Sequence, residues 1–160
     1  SDQAMINRST FYRYFSDKYI LRDTIVADIV KDFADHMEVD FLHMDIKNKD
    51  HTKTLEYSLS HLCTKKRELE LLWNQPTLGR NVFDEMIDAG ASKVENEIKN
   101  HKTITPEKKA LADWYAKLLV NNYLVTVRWW FAHSDTVSAS QITEMMERHM
   151  ISGTVSTLLS

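Results

Sequence analysis

Arg8, Ser9, Thr10, Tyr12 and Arg13 crowd into six positions near the start of the chain, and Lys18 follows five residues later. Arginines reach phosphates or guanine edges, and hydroxyls hold a phosphodiester backbone. A lysine adds a compact charge on phosphate. This set is suited to gripping a nucleic-acid duplex. Phe11 and Phe15 stand four apart, so on a helix they share one face and supply an apolar anchor, leaving the arginines and hydroxyls largely on other faces.

Other chemistry-bearing residues point to less. His36, Asp40 and His43 are spaced four and three apart, which would put them on one face of a helix as ligands for a surface metal. Charged helix faces give the same pattern by chance, and no metal is assigned. Glu56, Glu68 and Glu70 have no evident catalytic partner. No CxxC, HExxH, Gly-rich phosphate loop or nucleophile elbow occurs, and three glycines exclude a phosphate-cradling loop. The chain therefore reads as a non-enzyme without a cofactor. Cys63, the single cysteine, excludes an intrachain disulfide and fits a reducing cytoplasm. It reads as a small buried apolar residue before a redox sensor.

These residues must be positioned by helices. With three Gly and two Pro in 160 residues, 43% hydrophobic and 27% charged, the chain favours long helices, and no segment alternates like a strand. The expected class is all-α. No run of about eighteen apolar residues occurs, so no membrane span is expected. The net charge of −3 argues against general nucleic-acid binding, but its distribution is uneven. The first 22 residues carry four basic and two acidic side chains, +2, which leaves −5 for the rest. A basic tip on an acidic body suits contact with phosphate at one end only.

The spacing predicts a short helix over about 8–15, then a long one from Ser16 or Asp17 to about Met44. Its inward residues would be Ile20 or Leu21, Thr24 or Ile25, Ile29, Phe33, Met37 and Phe41. Lys47–Asp50 reads as a loop. A helix follows over His51–Thr64, Lys65-Lys66-Arg67 either interrupts it or starts a short helix carrying Leu69, Leu72 and Trp73, and a further helix covers Thr77–Asn100 with Gly90 weakening its middle. Asn74-Gln75-Pro76 forms the break between the last two. Thr105-Pro106 caps a helix to about His133. Ser138 with Gln141 forms a capping box for the last helix.

The segment Ala4-Met5-Ile6-Asn7 through Phe11, Tyr12, Phe15 and Lys18 resembles the helix-turn-helix of the TetR family of transcriptional regulators. Met5 stands where the family has a turn glycine, and Asn7 where serine is common. The C-terminal half is similar to the Firmicutes-type TetR-like ligand-binding domain, in Tyr123–Ala132 (YLVTVRWWFA), Ser140-Gln141-Ile142 and Met150-Ile151-Ser152-Gly153.

The resemblance implies a partial DNA-binding part with its connecting helix over 1–44 and an effector-binding and dimerisation domain over 45–160. It implies that Arg8, Ser9, Thr10, Tyr12 and Arg13 face a double-stranded operator, that Lys18 binds phosphate, and that Phe11 and Phe15 are structural. Only Ser1 to Ile6 precede the reading segment that starts at Asn7, so the resemblance also implies helices upstream and poor DNA binding by these 160 residues alone. A small, largely apolar effector would sit among Tyr57, His61, Trp73, Phe83, Met86, Trp114, Asn122, Tyr123 and Thr126. Asn122 is the strongest candidate, as a polar residue on an apolar stripe. The last two long helices, with Trp129-Trp130 and Met145-Met146, would pack against their twins in a homodimer. A cytoplasmic repressor released by its ligand is the expected function. A helical dimeric ligand-binding module without DNA binding is the alternative.

Overall fold

The computed structural model describes residues 2–43 and 51–160, leaving aside the side chains of 2–6, 15, 41, 51 and 52. It is all-α, with no strand among the described residues. The helices are α1 (Asp2–Asp35), α2 (His51–Cys63), α3 (Lys66–Trp73), α4 (Val82–Asn100), α5 (Pro106–Lys109), α6 (Ala112–Phe131), α7 (Ala139–His149) and α8 (Ser156–Leu159). Short 3₁₀ turns lie at Asp40–Leu42 and Pro76–Leu78, and a π-helical turn, Met150–Val155, joins α7 to α8.

α4 and α6 form the central pair. Val82, Phe83, Met86, Ala91, Val94 and Ile98 recur at helical spacing on α4 and are buried. They meet Tyr115, Ala116, Leu119, Val120, Tyr123, Leu124 and Val127 of α6. α1 packs on α4, α2 packs on α7, and α3 closes one end against α4 and α6. Gly90 allows the tightest of these approaches. A Cβ built there would stand 3.0 Å from Phe33 Cε1, 3.1 Å from Val120 Cγ1 and 3.3 Å from Met37 Cε. Gly90 is thus a seam where α1, α4 and α6 converge, which adds a packing role to the local weakening expected from a helical glycine.

Caps follow the sequence closely. Asn81 accepts from the Asp84 amide, and Thr105 from the Lys108 amide ahead of Pro106 at the helix start. Ser138 and Gln141 make both bonds of the capping box, at 3.1 and 2.9 Å. Gly79 takes the left-handed backbone, φ 71°, that ends the Pro76–Leu78 turn and releases the chain toward α4. That turn moves the start of α4 from the expected Thr77 to Val82.

Two further expectations change. The helix expected from Pro106 to His133 is broken at Ala110–Leu111, where the Leu111 amide bonds to the Lys108 carbonyl three residues back and Leu111 leaves helical backbone. More importantly, α1 runs without interruption through Phe15-Ser16-Asp17, so 8–15 is not a separate element. It ends at Asp35, well before Met44, because Lys93 of α4 donates to the carbonyls of Ala34 and Asp35 at 3.2 and 3.3 Å. A cation on terminal carbonyls stabilises a helix end. The inward stripe is Val26, Ile29 and Phe33, while Ile20, Leu21 and Ile25 are exposed. Met44, the expected loop at 47–50, and the side chains of Met5, Phe15 and Phe41 lie outside the described residues.

Replacing Gly90 by Val should lower stability by about 1–3 kcal/mol through overpacking. Gly153, with nothing within 4 Å of its built Cβ, should accept Ala with a gain of about 0.5–1 kcal/mol. Chemical denaturation of the two variants checks both signs.

Candidate functional site

The end of α1, one face of α2, the middle of α4 and α6, and the π turn surround an apolar cavity. The space in it open to the centre of a water-sized sphere is about 40 Å³. Met37, Leu55, Val94, Leu119, Val120, Met150 and Ile151 form most of the wall, with Glu38, Thr54, Ser58 and Tyr123 as the polar members. A smaller chamber of about 10 Å³, room for about one water, adjoins it, lined by Phe33, His36, Met37, Ser58, His61, Leu62 and Tyr123. Met37, Ser58 and Tyr123 belong to both.

Tyr123 marks the junction. Its residue is 4% exposed, and its hydroxyl is the single buried side-chain polar atom among the described residues without a hydrogen-bond partner. Burial, reinforced by the neighbouring Cys63, pushes the phenol far above its ordinary range, so the group is a neutral O–H donor. Leaving such a group unpaired destabilises a protein by about 1–3 kcal/mol. A ligand carrying an acceptor would recover that loss. Burial likewise raises the Cys63 thiol, only partly offset by Lys66, so the sulfur is held as a thiol.

The smaller chamber ends in a polar cluster. His61 Nε2 donates to Asp32 Oδ2 at 2.8 Å, and Lys65 Nζ stands 3.2 Å from the same oxygen. His36 Nδ1 donates to the Asp32 carbonyl at 2.9 Å and lies 3.4 Å from Asp32 Oδ1. The two imidazoles are stacked, 3.7 Å between centroids. Burial would raise the Asp32 carboxyl, but His61 and Lys65 together outweigh it and hold the group below its ordinary range.

His36, Asp40 and His43 do not gather on a helix face, because α1 stops at Asp35. His36 turns to Asp32, whereas His43 bonds Glu97 and stacks 4.7 Å from His101.

Of the nine residues expected around an effector, Tyr123 and His61 line this pair of chambers. Tyr57 is exposed. Trp73, Phe83 and Met86 pack together at the α3 end, where Trp73 Nε1 donates to Met86 Sδ at 3.4 Å and Trp73 meets Phe83 edge-on. Trp73 and Phe83 border a separate surface cleft beside Arg128. Trp114 is exposed, Thr126 bonds the Asn122 carbonyl of its own helix at 2.6 Å, and Asn122 is half-buried on the outer stripe of α6. The stripe that carries Asn122 faces away from the cavity. Thr54 and Ser58 were missed as wall residues. Their signal was present: Thr54, Ser58, His61 and Lys65, spaced four, three and four, form a polar ridge beside Leu55, Leu59 and Leu62 on α2.

All six residues expected at DNA are placed together on the first half of α1. Arg8, Ser9, Thr10, Tyr12, Arg13 and Lys18 are exposed there, and so is Phe11, the expected anchor.

Tyr123→Phe removes the unpaired hydroxyl and keeps the ring. It should raise the unfolding free energy of the ligand-free protein by about 1–3 kcal/mol. The same change should weaken any compound that fills the cavity. Denaturation and thermal-shift titration of the two proteins with one panel of apolar compounds bearing a single acceptor would show both effects.

Comparison with known proteins gives no matching family model, no matching curated protein and no matching solved structure.

Proposed function

We propose that the chain is the body and reading helix of a dimeric, TetR-like DNA-binding repressor that a small, largely apolar ligand releases. The observation that carries this reading is the division of α1. Every described side chain from Asn7 to Leu21 is exposed, including Arg8, Arg13 and Lys18, whereas Phe33, His36 and Met37 at the other end border the cavity. Residues 8 and 33 are separated by roughly 37 Å along a helix at 1.5 Å per residue. Arg22 donates to the Leu78 carbonyl at 2.9 Å, and Asp23 bridges Arg22 and Arg80, so α1 is tied to the body between its two ends. A ligand that displaces Met37 would tilt a lever about that tie and move the basic end. Because the coupling is thermodynamic, DNA would weaken ligand binding by the same factor that ligand weakens DNA binding.

A two-fold partner completes the reading. Trp114, Val125 and Trp129 recur on one face of α6, with Leu118 and Asn122 between them and Leu111 at its N-cap, and the three and Leu111 are each 42–56% exposed. Met145, 61% exposed, extends the apolar surface on the adjacent α7. An uncovered stripe of this size marks an interaction site, and burying it against its twin would contribute about 1.5–3 kcal/mol per large side chain. Two-fold proteins read half-sites about 34 Å apart.

The continuity of α1 through Ala4-Met5-Ile6-Asn7, where the resemblance places the turn, favours a second reading, a dimeric ligand-binding module without DNA contact, since a helix-turn-helix needs a turn before its reading helix. Selection of bound duplexes from a random pool by the complete gene product separates the two. The repressor reading expects enrichment of a two-fold site. It also expects Lys18→Ala to lower the slope of log affinity against log salt by about one. Failure to enrich any duplex would leave the module.

Light scattering should give twice the 18.7 kDa chain mass, and Trp114→Glu with Trp129→Glu should halve it. A wild-type monomer at micromolar concentration would remove the dimer from the account.

A further inference from the structure

We infer that Asp32, His36 and His61 form a binding site for a divalent transition metal of the zinc class, with one coordination position left open toward Tyr123. Each of the three side chains offers one ligand atom, and these atoms lie within 4.8 Å of one another. Two imidazole nitrogens and one carboxylate oxygen form a donor set that zinc accepts, and three protein ligands leave a fourth position for water or a ligand group.

The fold explains how the set is assembled. Asp32 lies in the last turn of α1, which Gly90 and Lys93 hold against α4, and His36 follows just past its end, its amide still bonded to the Asp32 carbonyl at 3.1 Å. His61 comes from α2, on the polar ridge that faces the smaller chamber. The contacts already resemble those around an absent cation. Both imidazoles converge on a single carboxylate, and the Lys65 ammonium occupies a cation position 3.2 Å from Asp32 Oδ2. Lys65 is about a third exposed and has water to swing into. With the metal in place, Lys65 withdraws and the imidazoles fan apart from their 3.7 Å stack so that both lone pairs point at the ion.

An independent observation points into the same chamber. Tyr123 lines it together with His36 and His61, and its hydroxyl is buried with no partner. A water or anionic ligand group on the open coordination position supplies an acceptor for it. Metal-bound groups are regularly held by such outer hydrogen bonds. Because Met37 and Ser58 are shared with the apolar cavity, an occupant of that cavity would present its polar end to the metal.

The test is calorimetric titration of chelator-stripped protein with zinc chloride, repeated with cobalt(II) while its visible absorption is followed. One metal per chain and a cobalt spectrum of low-symmetry, nitrogen- and oxygen-ligated type are expected. Removing an outer partner of a metal ligand lowers affinity about 10–100-fold, so losing a ligand in Asp32→Asn or His61→Gln should lower it by at least about 100-fold. Lys65→Met, which removes the competing ammonium, should tighten binding. A gain of affinity cannot come from misfolding. His43→Gln, in the separate cluster with Glu97 and His101, should leave affinity unchanged. The proposal is overturned by an absence of saturable binding to the wild type. Full affinity in His61→Gln, weaker binding in Lys65→Met, or loss of binding in His43→Gln would overturn it equally.

Discussion

The close approach at Gly90 governs the rest of the structure. Because α4 has no side chain there, Phe33 of α1, Met37 just beyond it and Val120 of α6 meet its backbone directly. That contact decides where α1 ends, since it brings Lys93 within reach of the last carbonyls. It therefore also decides that Asp32 and His36 face α2 and that Met37 becomes cavity wall. A bulkier residue would push α1 outward, open the seam and displace Phe33, Met37 and Val120, which line the chambers.

Under the proposed function, the site would set stability against binding. Tyr123 could be replaced by Phe with no loss of packing, and the ligand-free protein would be the more stable for it. A buried donor with no partner is rare in folded proteins and asks for a physical reason. The hydroxyl sits where an apolar chamber meets a cluster of imidazoles and a carboxylate, so a bound molecule with an apolar body and an acceptor at one end would be complementary to both parts. α1 then connects this junction to an exposed segment of arginines and aromatics. In the proposed function, binding energy spent on shifting Met37 would be available to reposition that segment, and the size of the response would be bounded by the difference in affinity between the two positions.

Much of the helical order was legible from the sequence, because its signals are local. The Asn81 position aside, caps at Thr105 and Ser138, the Pro76 break and the core stripes of α4 and α6 all follow from residue type and spacing. What was not legible depended on tertiary contacts. The end of α1 at Asp35 is made by Lys93, 58 residues later. A helix signal at Ser16-Asp17 was present as a potential cap, yet nothing in that segment interrupts helical hydrogen bonding, and the helix continues. The stripe around Asn122 was correctly seen as apolar, but α6 is apolar on more than one face, and periodicity alone does not say which face meets the core and which is left outside. For the same reason Trp114 and Trp129 fall on the outer surface while Tyr123, one helical turn away from Val120, closes the cavity. The polar ridge of Thr54, Ser58 and His61 carried the site in a form that residue-by-residue inspection for aromatics passes over.

The central claim is that the cavity at Tyr123 is built to hold a molecule whose acceptor meets the buried hydroxyl. A high-resolution crystal structure of the protein purified from its own host tests it most directly. The account predicts density for an extended molecule between Leu55, Val94, Leu119 and Met150, with an oxygen or nitrogen at hydrogen-bond distance from Tyr123 Oη. A collapsed cavity, with a single ordered water satisfying the hydroxyl, would contradict it.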